Sequence, residues 1–235
     1  MDSADIKQPI PFERLIKGDA RHDVYQGRVT TDTIQRELVL MRLSPKLPPT
    51  VTHLLGLSKQ LCVAGYFFYD LYSVAVHHAA VAAEVAIRAR FVESLPDPLS
   101  VTKGGKTWTL SRPPGDRLVE VLRERWRLPG FDKGFVAGFN QLVRWAEVQG
   151  ILKGEHVGWW TATQAIRNMY AHGNDAILPF NYPLGVLRQT VWMLNELFPD
   201  AETLSYDRPR RAAADAAAAQ ELEQIRRLRE AAGND

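Results

Sequence analysis

Cysteine is almost missing. Cys62 stands alone in 235 residues, so no disulfide forms within the chain, and its apolar setting suits a reducing compartment. Charge of one sign is missing too. The 29 Lys and Arg meet 27 Asp and Glu, a formal net charge of +2, so no blanket attraction for nucleic acid follows and only a local basic patch stays open. No apolar run reaches the ~20 residues that a bilayer span requires. The longest, Leu61 to Phe91, is broken by Asp70, His77, His78, Glu84, Arg88 and Arg90. The spacings HExxH, CxxC and the EF-hand loop are absent, as are a GxSxG elbow and any internal repeat. The first residues, Met-Asp-Ser-Ala-Asp, are acidic and polar, unlike a secretory leader. These absences predict a cytoplasmic protein with no metal or other cofactor and no membrane association.

What the chain does carry is helical periodicity. Residues 1–50 are mixed and punctuated by Pro and Gly, an N-terminal extension in which Thr31-Asp32 cap a helix reaching about Leu43. From Thr50 to Ser94 runs the dominant segment. Gly65 divides it into a helix near 51–63 and a longer one near 66–94, rich in Ala, Val and aromatics, free of Pro, and central to the core. Pro96 and Pro98 stop that helix, and residues 101–110 read as a hairpin around Gly104-Gly105. A helix follows from Asp116 with the stripe Leu118, Val119, Leu122 and Trp126, and another runs from about Lys133 to Gln149. A further helix spans about His156 to His172, with Gly173 beyond its end. Pro183 opens the next, which stops before Pro199. Residues 51–198 thus form a helical bundle, and residues 199–235 an Ala/Arg-rich C-terminal helix whose apolar stripe is only Leu222, Ile225 and Leu228. The fold class is all-α in the main, with a small hairpin near 100–110.

Gly105-Lys106-Thr107 is not a phosphate loop, because Ser100 stands where that motif needs a glycine and the surrounding alternation is that of a hairpin. His77 and His78 are adjacent, about 100° apart on a helix, and do not share one ion. Trp159-Trp160 is a pair able to stack bases, although such pairs near a helix start are more often packing residues.

The most informative stretch is Ala165-Ile-Arg-Asn-Met-Tyr-Ala-His-Gly173. An Arg and a His at that spacing arise easily by chance; Asn168 directly after Arg167 and Gly173 directly after His172 make the pattern far more selective. It resembles the RNxxxH motif that the HEPN family carries late in its helical bundle. The resemblance covers the motif, the long Ala-rich helix before it and the order of helices, about residues 51–198. It implies a homodimer whose two motifs face each other. Many such proteins resemble metal-independent ribonucleases of toxin–antitoxin and phage-defence systems; others are similar to non-catalytic modules that bind RNA, a nucleotide or a partner protein. One subgroup has a tyrosine two residues past the histidine, where this chain has Asn174. An antitoxin or another defence protein is the kind of partner the resemblance implies.

The residue chemistry agrees with that expectation. An imidazole with a reference pKa near ~6.5 moves protons at neutral pH, and the C-terminal end of its helix favours the protonated ring. A guanidinium grips phosphate in fork geometry. Five residues place Arg167 and His172 about 140° apart around a helix, so convergence calls for a second motif across a symmetric interface. Asn168, four residues before His172, is in reach to orient its ring. Along the apolar helix, Asp70, His77, Glu84 and Arg88 fall close to one line, which must face solvent, a cleft or another charged face. Either Glu84 and Arg88 form a plain surface pair there, or Glu84 orients Arg167 or His172, with His77 and Asn174 assisting.

Overall fold

In the computed structural model, the described residues are 17–25, 29–110, 138–153, 157–162, 165 and 181–232. They are mainly helical, with one two-stranded antiparallel sheet, the class that the periodicity predicts. The order is a 3-10 turn (Ala20–Tyr25), α1 (Thr31–Val39), α2 (Pro49–Ala64), α3 (Leu71–Ser94), β1 (Leu99–Lys103), β2 (Lys106–Leu110), α4 (Phe139–Val148), a helical stretch at 157–162, α5 (Asn181–Leu197) and α6 (Ala201–Ala232). The expected helix from Asp116, and residues 133–137 before α4, lie outside the described residues.

α3 is the central element, packing on α2, α4 and α5. Its alanines explain how. Ala75, Ala79, Ala82, Ala83 and Ala86 are all buried, and small side chains let neighbouring helices approach closely. Ile87 and Phe91 extend the buried face, and the Phe91 ring meets Trp145 of α4 edge-on at 5.0 Å. Ser58 in α2 donates to the Ala75 carbonyl at 2.6 Å, so this buried hydroxyl is satisfied within the helix pair. Val29, Ile34, Leu38, Met41 and Leu47 join the same core from the N-terminal side.

Several boundaries differ from the sequence reading for identifiable reasons. α1 is capped by Thr30 rather than Thr31-Asp32, through a reciprocal capping box with Thr33, and it stops at Val39 instead of reaching Leu43. Gly65 does separate α2 from α3, but α3 begins at Leu71, because 65–70 is a turn. The turn is fixed by packing: a Cβ on Gly65 would lie 2.6 Å from the ring of Tyr72. His22 of the 3-10 turn sits against this corner, with its Nε2 3.4 Å from the Gly65 carbonyl and its ring stacked on Tyr66 at 5.2 Å. The hairpin falls where expected. Its turn uses positive φ at Gly104 and Gly105, while Leu99 and Val101 face inward.

α6 begins well before Pro209. Asp200 accepts from the Thr203 amide at 3.0 Å and from the Thr203 hydroxyl at 2.9 Å, an N-cap that starts the helix and holds the Asp200 carboxyl below its ordinary range. Pro209 then lies inside the helix, where the carbonyl it leaves without a donor belongs to the exposed Ser205. Leu222 and Ile225 are exposed. No helix among the described residues is long and apolar enough to cross a membrane.

Candidate functional site

Arg167, Asn168, His172, Gly173 and Asn174 lie outside the described residues. Apart from the single residue Ala165, the described chain before them is the helical stretch 157–162, which separates the two tryptophans. Trp160 is 0% exposed and packs with its ring centroid 6.0 Å from that of Phe139. Trp159 is 43% exposed. One indole is core and the other faces outward, as adjacent positions on a helix require.

The ionisable line on α3 resolves into two ends. At the helix start, Asp70 binds Nη1 of Arg21 at 2.7 Å and is otherwise exposed. The same guanidinium holds Asp19, whose carboxylate also accepts from the amides of Arg21 and Tyr69 at 3.0 and 3.3 Å. The Arg21 side-chain bonds, chiefly, hold the Asp19 carboxyl down at about 2. At the other end, Glu84 forms an ion pair with Arg88 of the next turn, and its side chain is only 14% exposed. This is a half-buried pair rather than a solvated surface one. His77, half-buried one heptad before Glu84, has its ring edge-on to His78 at 6.1 Å.

A concave feature lies elsewhere, between α5, α6, residues 150–153 and Trp159. This groove of about 590 Å³ is lined by Lys153, Trp159, Gln189, Trp192, Glu196 and Arg211, with Asp207, Arg208 and Asp215 completing the α6 side. On α5 the lining residues recur at i, i+3 and i+7, and on α6 at i, i+1, i+4 and i+8, so each helix presents one face. Glu196 and Arg211 are ion-paired across the two helices. Beneath them, Asp207 is 6% exposed and accepts from Asn195 at 2.7 Å, while burial raises its carboxyl above the ordinary value.

Sequence reasoning passed over Asn195, Glu196, Asp207 and Arg211. Their pairings join positions 12 and 15 apart on two different helices, and no motif or period announces them. Among the described residues no group of three or more His, Cys, Asp or Glu is placed to hold a metal ion. Cys62 is fully buried, and desolvation pushes its thiol up to about 12, far from a working nucleophile.

Compared with family models, with curated proteins and with solved structures, the chain gives no match in any of the three.

Proposed function

We propose that this chain is a metal-independent endoribonuclease of HEPN-like type, cytoplasmic and acting as a two-fold homodimer in a toxin or phage-defence setting. The observation that carries the reading is the segment Arg167-Asn168, three residues, His172-Gly173. The mainly helical architecture is compatible with it, and so is a nearly buried carboxylate, Glu84, on the central helix α3.

In this reading His172 takes the proton from a ribose 2′-hydroxyl, and that oxygen attacks the adjacent phosphorus. The 5′-oxygen of the next nucleotide leaves and receives a proton from the second histidine of the dimer. The products are a 2′,3′-cyclic phosphate and a free 5′-hydroxyl, so atoms and charge balance without water or metal. Arg167 neutralises the phosphate as charge builds on its oxygens. Asn168 orients the imidazole, and Glu84, with His77 and Asn174 near it in role, positions the cationic groups.

The test is cleavage of a defined single-stranded RNA by purified protein in EDTA, with His172→Ala and Arg167→Ala beside the wild type. The expected result is cleavage unaffected by chelation, a cyclic phosphate product, and a loss of about 10²–10⁴-fold in rate for His172→Ala. Wild-type rates in both variants, or complete dependence on added magnesium, overturn the reading.

A further inference from the structure

We propose that Arg42 and Arg210 form a clamp for a backbone phosphate of RNA, taking from the ribonuclease reading only the identity of the strand. The two guanidinium groups share one ring. Arg42 lies 3.9 Å and Arg210 3.6 Å from the centroid of Tyr206. Two groups of that size cannot occupy one face so close to its centre, so they flank the ring. Their central carbons are then no more than about 7.5 Å apart. A phosphodiester at the rim of the ring accepts from both, one free oxygen to each guanidinium.

Like charges held this close repel, and the described residues offset them weakly. Arg210 forms no ion pair among the described residues; it donates to the Tyr206 carbonyl at 2.9 Å and is exposed. Arg42 reaches only Glu202, 3.9 Å away and 90% exposed, a contact worth little in water. Asp207 is within electrostatic range of both arginines, but it is buried against Asn195, and burial disfavours its charge. Asp200, at the start of α6, is engaged by Thr203 as the helix cap. Lys46, exposed and anchored on the Pro199 carbonyl at 2.7 Å, adds a third cation at this end of α6. A net charge of +2 over the whole chain leaves room only for a local basic patch, and this is one. The clamp is also preformed. Asn195 holds the Arg42 carbonyl at 2.9 Å, and Arg210 lies one turn beyond Tyr206 on α6. Cations fixed in this way give up less freedom on meeting phosphate.

The experiment uses the full chain and a fluorescent 2′-O-methyl RNA octamer, which lacks the nucleophile and is not cut. Anisotropy titrations are run across a salt series, with a poly-glutamate peptide of equal length beside the octamer. Arg42→Gln and Arg210→Gln are each expected to weaken octamer binding about tenfold. The double variant should lower the salt slope by about 0.7, the share of one phosphate on a single strand. Arg42→Lys keeps the charge but not the fork and should restore binding only in part. Tyr206→Phe should keep the affinity, and Tyr206→Leu should lower it about threefold with the charge unchanged. Glu202→Gln should tighten binding. Arg42, Arg210 and Glu202 are exposed, so melting temperatures near the wild type keep the comparison valid. Wild-type affinity in both arginine variants, no octamer binding by the wild type at low salt, or a slope loss near twice the expected one overturns the clamp. If these proteins still cut RNA, the ribonuclease reading stands. The clamp also fails if the peptide, and not the octamer, binds through Arg42 and Arg210, as an acidic protein partner would. Arginine-dependent octamer binding by a protein that never cleaves RNA upholds the clamp and removes the ribonuclease reading.

Discussion

Asn195 donates from Nδ2 to Oδ2 of Asp207 at 2.7 Å, and that bond ties α6 to the rest of the bundle. The same amide donates to the Arg42 carbonyl and accepts from the Ser44 amide, each at 2.9 Å. Asn195 is 0% exposed, so every polar atom of its side chain is matched inside the protein. Asn195→Ala strands the buried Ser44 amide and Asp207 carboxyl, and the part-buried Arg42 carbonyl, and is expected to cost about 2–4 kcal/mol in urea unfolding. A loss under about 1 kcal/mol would show that the network does not hold α6.

The Asp207 carboxyl is raised in the folded protein, chiefly by desolvation. Between the unfolded value and that raised value the native state holds more proton than the unfolded one, so this group's contribution falls as pH rises through the window and stays low above it. Asp207→Asn removes the titration. Its melting temperature is expected to decline less than the wild type's as pH rises from about 4, where an unperturbed Asp would already be ionised. Parallel profiles for the two proteins, measured by calorimetry, would contradict this.

Asp19 works in the opposite sense. Its carboxyl is lowered to about 2 by Arg21, so its stabilisation is complete above the ordinary carboxylate range and disappears as pH falls toward that value. Its side chain is 19% exposed and Arg21 is 35% exposed, so solvent screening trims the gain to about 1–2 kcal/mol. Asp19→Asn should flatten the acid limb of the stability curve below about pH 4 and leave the Asp207 window untouched. An unchanged acid limb would mean that the Arg21 contacts add nothing to folding.

Part of this arrangement was legible in the chain and part was not. The Ala-rich, Pro-free stretch from Leu71 to Ser94 announces α3, and Gly104-Gly105 announces the hairpin, because both signals are local. The network of Asn195, Asp207, Arg42 and Ser44 is not local: Ser44 and Asn195 are 151 residues apart. The C-terminal helix expected over 199–235 is found as α6, started by the Asp200 cap and carried through Pro209, whose missing bond falls at the exposed Ser205. The Trp159-Trp160 pair signalled aromatic weight without saying which ring faces the core. The Arg167–His172 motif is legible as chemistry in the sequence alone.

Gly65 and Tyr72 make a sharper local test. Gly65 has an ordinary helical φ of −58°, so its role is space rather than backbone freedom. A Cβ there would lie 2.6 Å from Cε1 and 2.7 Å from Cδ1 of Tyr72, a fully buried ring with nowhere to retreat. Gly65→Ala is expected to cost about 1–3 kcal/mol. The Tyr72 hydroxyl is buried without a hydrogen-bond partner among the described residues, so Tyr72→Phe should hold or raise stability. A large loss in Tyr72→Phe on a denaturant titration would reveal a role for the hydroxyl.

Glu84 separates a structural pair from a positioning role. The bond to Arg88 is intrahelical and half-buried, so removing Glu84 leaves the Arg88 charge without this partner in a partly desolvated place. If Glu84 serves only that pair, Glu84→Gln and Arg88→Met should lose similar stability and alter RNA cleavage equally little. The ribonuclease reading demands an asymmetry. Glu84→Gln should lower the cleavage rate by an intermediate factor, about 10–100-fold, and shift the pH at which the histidine titrates, because the carboxylate no longer steadies a positive charge near it. Arg88→Met should melt early but, below its midpoint, cleave at close to the wild-type rate. Rate against pH for both variants, measured well under their melting temperatures, decides the matter. Identical pH profiles in wild type and Glu84→Gln would confine Glu84 to holding α3 together, and the positioning role would have to fall to other side chains.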